Sequence, residues 1–547
     1  MKKAKLITVF LFILLPNLSF GRDEPLANHD KRGIYARSLE QVLRLDEEDI
    51  DLATAALIIS ERWSDDLQAQ GKASGPGNGL VHGRRYLTRL DNMARQIQDR
   101  LEKKGLRQNY KAIAVINEYL FDELGFASID NANKPEDLFL HTVMDKKRGY
   151  CLSLSILYLS LGERLGLPLY GVVVPSHFFV RYDDGRIRFN IETTSKGGTA
   201  DDKHYIKKFN VPKDNGIYMT NLDNLQTLGC FFNNLGNSYD KVGNTDRALS
   251  ALERAVDLNP LLAESRGNLA NVYLKFDRIS DAIYEYRAAL EINPNDNTTH
   301  NNLANAYLQK GWLNDAISEY NRSLKLNPHF IEAHKNLANA YCQKQMFDAA
   351  IAQLNQALAL KPKNASLYSR LGNVYIQIQD YEYAQTQYKK ALKIKPDLAE
   401  AHYGLGLCYN KFGLVDEEIA AYKKALAVEP DMVAALMSLG NVYFDRKNFD
   451  AALKQYSKAA RIAGDDGWIH YNLAAAYSNI KRYEQAVAEY QKAIELEPEM
   501  ADAHHGLALV LYKLKKYELA AEHITKAGEL GFDIPEDLLD AIKDKLK

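Results

Sequence analysis

A chain of 547 residues is too long for one ordinary hydrophobic core, so at least two domains are expected. Its 69 basic and 71 acidic residues leave a net charge of −2, and no long basic block stands beyond the first residues. That balance argues against binding nucleic acid or an anionic membrane, and four cysteines are too few to form a disulfide scaffold in a chain this size.

Lys2, Lys3 and Lys5 precede an apolar run over residues 6–15 that Pro16 ends, and Ser19 and Gly21 suit a cleavage site. The run is too short to span a bilayer. Residues 1–21 therefore read as a signal peptide of bacterial style, which implies a periplasmic or secreted protein; a retained signal anchor is the alternative. Residues 22–44 are polar and expected to be mobile. A helix is expected from Asp46, its apolar stripe formed by Ile50, Ala53 and Leu57, with Trp63 closing the buried side. A glycine-rich loop over 71–79 follows, then helices over about 84–104 and 110–124.

The stretch Arg148-Gly149-Tyr150-Cys151-Leu152-Ser153-Leu154-Ser155 opens an apolar helix that runs from Cys151 to about Leu165, where Gly166 and Pro168 end it. A cysteine at a helix N-terminus has its thiolate stabilised by unpaired N–H groups and the helix dipole. Strands follow over 170–174, 177–182 and 187–193. Asp184-Gly185 signals a two-residue hairpin turn. Such a turn would set Asp183 opposite Arg186, Arg181 opposite Arg188, Phe179 opposite Asn190 and His177 opposite Glu192. An imidazole would then meet a carboxylate, which is what a thiol nucleophile needs: Cys151 to attack an acyl carbon, His177 as base, Glu192 to orient it, and Asn190 as second choice for orienter. The plain alternative for Cys151 is a small buried apolar residue. Arg181 and Arg188 read as solvated, or else as holders of a substrate carboxylate.

Helix with Cys, strand with His, strand with an acid: over residues 45–210 this resembles the transglutaminase-like fold of the papain-type superfamily, in a bacterial branch often joined to tetratricopeptide repeats. Glu192 stands where an Asp is more usual. The resemblance implies amide hydrolysis or acyl transfer at a Cys-His-acid triad, with no cofactor and no metal.

After a linker over 211–226, Pro260, Pro294, Pro328, Pro362, Pro396 and Pro430 stand 34 residues apart, continued by Gly464, Pro498 and Phe532. A fixed period of this length means one supersecondary unit repeated along the chain. Each unit carries Leu, then Gly or Ala, then Tyr three further on in all but the last, as in Leu269, Ala270 and Tyr273, with a small Ala in its second helix. Leu and Tyr share one helical stripe, the small residues let two helices approach, and proline ends the unit. The pattern resembles the tetratricopeptide repeat, nine units over 227–532, followed by a capping helix within 533–547. Glu418 replaces the second-helix Ala in one unit, which should loosen its packing or turn the Glu to solvent.

The fold class expected is thus an α+β transglutaminase-like domain joined to an all-α repeat solenoid. Two asparagine ladders run along the first helices: Asn234, Asn268, Asn302, Asn336 and Asn472, and Asn237, Asn271, Asn305, Asn339, Asn373 and Asn441. An amide both donates to and accepts from a peptide backbone, so these are candidate peptide-binding residues in a concave groove; helix-surface polarity is the alternative. The first ladder resembles that of the repeat region of O-linked N-acetylglucosamine transferase. His300, His334, His402, His470 and His504 recur at one slot and read as packing residues rather than a metal array. Two functional readings result: an exported thiol acyl-enzyme whose repeats dock protein or peptide partners, or a scaffold with an inert N-terminal domain.

Overall fold

The structure, a computed structural model, describes residues 38–45, 49–69, 79–130, 134–212 and 217–546. The expected signal peptide, the Asp46 cap and nearly all of the glycine-rich loop lie outside them. The chain divides into two compact units, one ending at Ala306 and the other starting at Tyr307.

The first unit opens with one helical turn, α1 (Leu39–Val42), inside the segment expected to be mobile; Leu39 and Val42 are buried. Helix α2 (Leu52–Ala69) begins at Leu52, where Asp51 Oδ2 accepts the Thr54 N–H at 3.0 Å. Helix α3 (Gly79–Lys103) buries Leu90, Met93, Ile97 and Leu101. Helix α4 (Ala112–Asn117) continues as a π-helical turn, Glu118–Glu123. A two-residue strand β1 (Ala127–Ser128) pairs in parallel with β2 (Arg148–Gly149), and α5 (Leu140–Lys146) lies between them in sequence.

Helix α6 (Cys151–Arg164) is apolar nearly all round and is buried from Cys151 through Gly162, as a central helix must be. It packs on an antiparallel meander of β3 (Leu169–Val174), β4 (His177–Asp183), β5 (Arg188–Glu192) and β6 (Gly198–Ala200). Helix α7 (Asp202–Lys208) follows, capped by Asp201, whose Oδ1 accepts the His204 N–H at 2.9 Å.

The β4–β5 register differs from the one a two-residue turn would give. Asp183 pairs with Arg188, Arg181 with Asn190 and Val180 with Ile191. The connection has four residues, because Asp184 Oδ1 accepts the N–H groups of both Arg186 (2.9 Å) and Ile187 (2.7 Å). The offset from the expected register is two residues, so every side chain keeps its face.

The segment expected to link two modules docks instead on the sheet: Leu222 N–H donates to Gly171 O at 2.9 Å and Met219 N–H to Val173 O at 3.2 Å. Helix α8 (Asn224–Lys241) then packs on α2 and α6. Asn224 Nδ2 donates to Ile50 O at 2.8 Å and to Glu163 Oε1 at 2.7 Å. The first repeats, α8 with α9 (Thr245–Leu258), α10 (Ala263–Lys275) with α11 (Ile279–Ile292), and α12 (Asn297–Gln309), thus grow directly from the α+β layer.

The second unit continues with α13 (Leu313–Leu326), α14 (Ile331–Gln343), ten further helices between Phe347 and Lys513 (α15–α24) and α25 (Tyr517–Glu529), then α26 (Glu536–Leu546), whose Ile542 is buried. Helices α8–α25 make the nine pairs that the 34-residue period predicts. The recurrent histidines are explained locally. Nε2 of His300, His334 and His402 donates to the carbonyl of Pro294, Pro328 and Pro396 at 3.0, 3.0 and 2.9 Å, so each ring ties a helix to the turn before it. Glu418 does not face water: it is buried, and its Oε1 accepts Asn410 Nδ2 at 2.9 Å.

Candidate active site

Cys151 is the first residue of α6, and its side chain is only 4 % exposed. Tyr150, in extended conformation, is the N-cap, and its N–H is taken by Ser153 Oγ at 2.9 Å. His177 is the first residue of β4, placed there by a tight Pro175-Ser176 turn in which Ser176 has φ +61°. Its Nε2 lies 2.7 Å from Glu192 Oε2. The other ring nitrogen, Nδ1, is therefore the one left for the Cys151 thiol, which stands beside the ring.

Glu192 is held from four directions. Its Oε2 also accepts the Tyr205 hydroxyl at 3.2 Å, and its Oε1 accepts Thr194 N–H at 3.1 Å and Thr194 Oγ1 at 2.5 Å. Burial works against its charge, but the His177 and Thr194 hydrogen bonds outweigh it and hold the carboxyl below its usual range. The extra methylene relative to an Asp is thus absorbed in a fixed geometry. The turn that carries Glu192 is itself braced: Tyr158 OH donates to Asn117 Oδ1 at 2.8 Å, and Asn117 Nδ2 donates to Gly197 O at 2.9 Å.

The imidazole is stacked against Phe209, ring centroids 4.8 Å apart and planes 6° from parallel, with Phe179 and Tyr205 next in the stack. Burial pulls the His177 pKa down, but hydrogen bonds and charge from Cys151 and Glu192 prevail and push it up to about 9. Tyr150 has its phenol pushed up to about 12 by burial and by the neighbouring sulfur, so it stays a proton donor beside that atom.

The other expected site residues fall elsewhere. Asn190 is not an orienter: its Oδ1 accepts Arg181 Nε at 2.8 Å and its Nδ2 donates to Asp202 Oδ1 at 2.8 Å. Arg181 is not solvated. It is 1 % exposed and also bonds Met219 O (2.6 Å), Asn221 Oδ1 (3.3 Å) and Asp202 Oδ1 (2.7 Å), which knits β4 to α7 and to the segment before α8. Arg188 pairs at the surface with Asp183.

Cys151 and His177 open on a cavity of about 390 Å3 whose far wall is built by the repeats. Asn234, Asn237, Asn268, Asn271 and Asn302 of the two ladders line it. Asn268 Nδ2 donates to Asn233 Oδ1 at 2.9 Å and Asn302 Nδ2 to Asn271 Oδ1 at 3.3 Å, while Asn271 Oδ1 also accepts Tyr286 OH at 2.5 Å. The same tyrosine anchor recurs at Asn373 with Tyr388 and at Asn441 with Tyr456, so the second ladder has a packing role of its own. Asn305 completes the first-unit set, and Asn336, Asn339 and Asn472 lie on first helices of the second unit. Sequence reasoning missed Tyr150, Tyr205 and Thr194, as well as Glu264 and Asp296 on the cavity wall. Tyr150 was open to inference from its place just before Cys151; Tyr205 and Phe209, four apart on a short helix and its C-cap, carried a weaker signal.

Comparison with known proteins agrees with this architecture. Residues 84–213 match the model of the transglutaminase-like superfamily. Tetratricopeptide repeat models match residues 233–297, 399–432 and five segments between 304 and 515. A UPF0162 protein of Xylella fastidiosa (strain 9a5c) is 25 % identical over 235 residues, 40 % of this chain and 74 % of that protein. F-box only protein 21 of Mus musculus is 34 % identical over 98 residues, 18 % of this chain and 14 % of that protein. Among solved structures, MamA 41-end from Desulfovibrio magneticus RS-1 is 25 % identical with a TM-score of 0.29, covering 30 % of this chain and 94 % of that one.

Proposed function

Starting from a chain that carries a transglutaminase-like domain followed by a tetratricopeptide repeat array, we propose that it is an exported cysteine-dependent amide hydrolase or acyl transferase acting on protein or peptide segments. The observation that carries this reading is the shared cavity: thiol, imidazole and repeat asparagines face one space. With its pKa raised to about 9, His177 stands as the imidazolium at neutral pH; the Cys151 sulfur it pairs with attacks the acyl carbon, and the imidazolium, steadied by Glu192, passes its Nδ1 proton to the departing amine. Water or a second amine then attacks the thioester, giving its proton to His177 as the C–S bond breaks, which restores the imidazolium beside the sulfur. The Tyr150 hydroxyl is a donor for the negative charge that builds beside the sulfur. Asn268 and Asn302 each donate one amide hydrogen bond along the ladder, and an amide can donate and accept further bonds to an extended peptide.

The test is thiol-probe labelling of the full chain. Labelling at Cys151 should vanish in Cys151→Ala and slow by about 100-fold or more in His177→Ala; unchanged labelling in both sinks the nucleophile. The near-complete burial of Cys151 favours a second reading, an inert domain beside a peptide-binding scaffold. Partner capture that persists in Cys151→Ala and fails when Asn268, Asn302 and Asn336 are replaced supports it.

A further inference from the structure

The cavity wall opposite the thiol holds an acidic group that the acyl chemistry does not use. Glu264, in the first turn of α10, has Oε1 bonded by the Tyr218 hydroxyl, while its Oε2 is buried with no hydrogen-bond partner. A carboxylate oxygen shut away from water without a donor is costly and uncommon in a folded protein. Asp296, just before α12, faces the same cavity. Its Oδ1 accepts Thr298 N–H at 2.9 Å and its Oδ2 accepts Thr299 Oγ1 at 2.6 Å, so its charge is fixed in place. Lys241 also lines the cavity.

We propose that Glu264 and Asp296 form a subsite for a cationic side chain, lysine or arginine, of the peptide segment presented to Cys151. This rests on the reading that a peptide occupies the cavity. An ammonium or guanidinium supplies the donor that Glu264 Oε2 lacks and meets the second negative charge at Asp296, which a neutral side chain cannot do. Burial raises the Glu264 carboxyl above its ordinary range, with Asp296 adding to the rise, and a bound cation would oppose that rise. The subsite selects the substrate; it is not part of the acyl-transfer machinery.

The experiment is equilibrium binding of hexapeptides to the full chain carrying Cys151→Ser, which prevents turnover. The peptides share one glycine–alanine–glutamine background and place lysine, arginine, norleucine or glutamate at each position in turn. Lysine or arginine at one position should bind at least about tenfold tighter than norleucine there. That ratio should fall towards one in Glu264→Gln and shrink in Asp296→Asn. Because the readout is a ratio within one variant, a general weakening of the fold cancels from it. Equal binding of lysine and norleucine peptides, a ratio that survives Glu264→Gln, or no peptide binding at all overturns the subsite. A cation preference alongside an unreactive Cys151 would instead remove the catalytic reading and leave the subsite standing; a reactive Cys151 with no preference does the reverse.

Discussion

His177 Nε2 and Glu192 Oε2 meet at 2.7 Å although the two residues are not opposite one another in the β4–β5 ladder. Carrying the observed register on sets residue 179, not 177, level with Glu192, so the contact is a diagonal one, bridged by the length of the glutamate side chain. An aspartate there would fall short. Glu192→Asp should therefore slow Cys151 labelling by about tenfold or more while leaving thermal unfolding within a few degrees of the parent.

The imidazole itself gives a pH test. Its pKa is raised to about 9 from the ordinary 6.5, so protonation favours the folded state. The stabilisation is complete below about pH 6.5 and is lost as pH rises through about 9. In a 13C-labelled chain the His177 ring should titrate near 9, and Glu192→Gln should lower that midpoint, since a raising partner is gone. A midpoint near 6.5 in the parent contradicts the ion-paired geometry.

Arg181 tests the scaffold behind the site. Its guanidinium is the shared partner of Asn190, Asp202, Asn221 and the Met219 carbonyl. Arg181→Met leaves those groups without their donor and should cost about 3 kcal/mol in chemical denaturation. Arg188→Met, at a surface pair, should cost under about 1 kcal/mol.

Glu418 offers a test in the repeats. Burial raises its carboxyl, so its contribution to stability is full below the ordinary pKa of 4.5 and is lost as pH rises through the folded value. Glu418→Ala, which restores the residue found in the other units, should leave the array's melting temperature less dependent on pH above the ordinary 4.5. A pH dependence equal to the parent's would mean that the carboxylate is not the group responsible.

The repeats were legible because 34-residue spacing repeats its own proof many times, and a wrong slot would fail in the next unit. Cys151, His177 and Glu192 were legible as a set because an error of two in strand register preserves the face on which each side chain lies. The register itself was not, since Asp184 captures two amides and lengthens the turn in a way the Asp-Gly pair does not announce. Nor were the roles of Arg181 and Asn190, whose partners lie at Asp202 and over 219–221, outside the hairpin. The cavity wall was hidden for the same reason: Glu264 and Asp296 are ordinary helix-start acids until α10 and α12 are placed across from the thiol.

Asn224 fastens the first repeat helix to Ile50 and Glu163, residues 174 and 61 positions earlier in the chain. A recombinant fragment cut where the transglutaminase-like match stops, at residue 213, would discard this clasp together with one side of the cavity beside Cys151. The smallest piece able to retain both must run on through α12, so swapping repeat arrays between such proteins would exchange part of the pocket along with the docking surface.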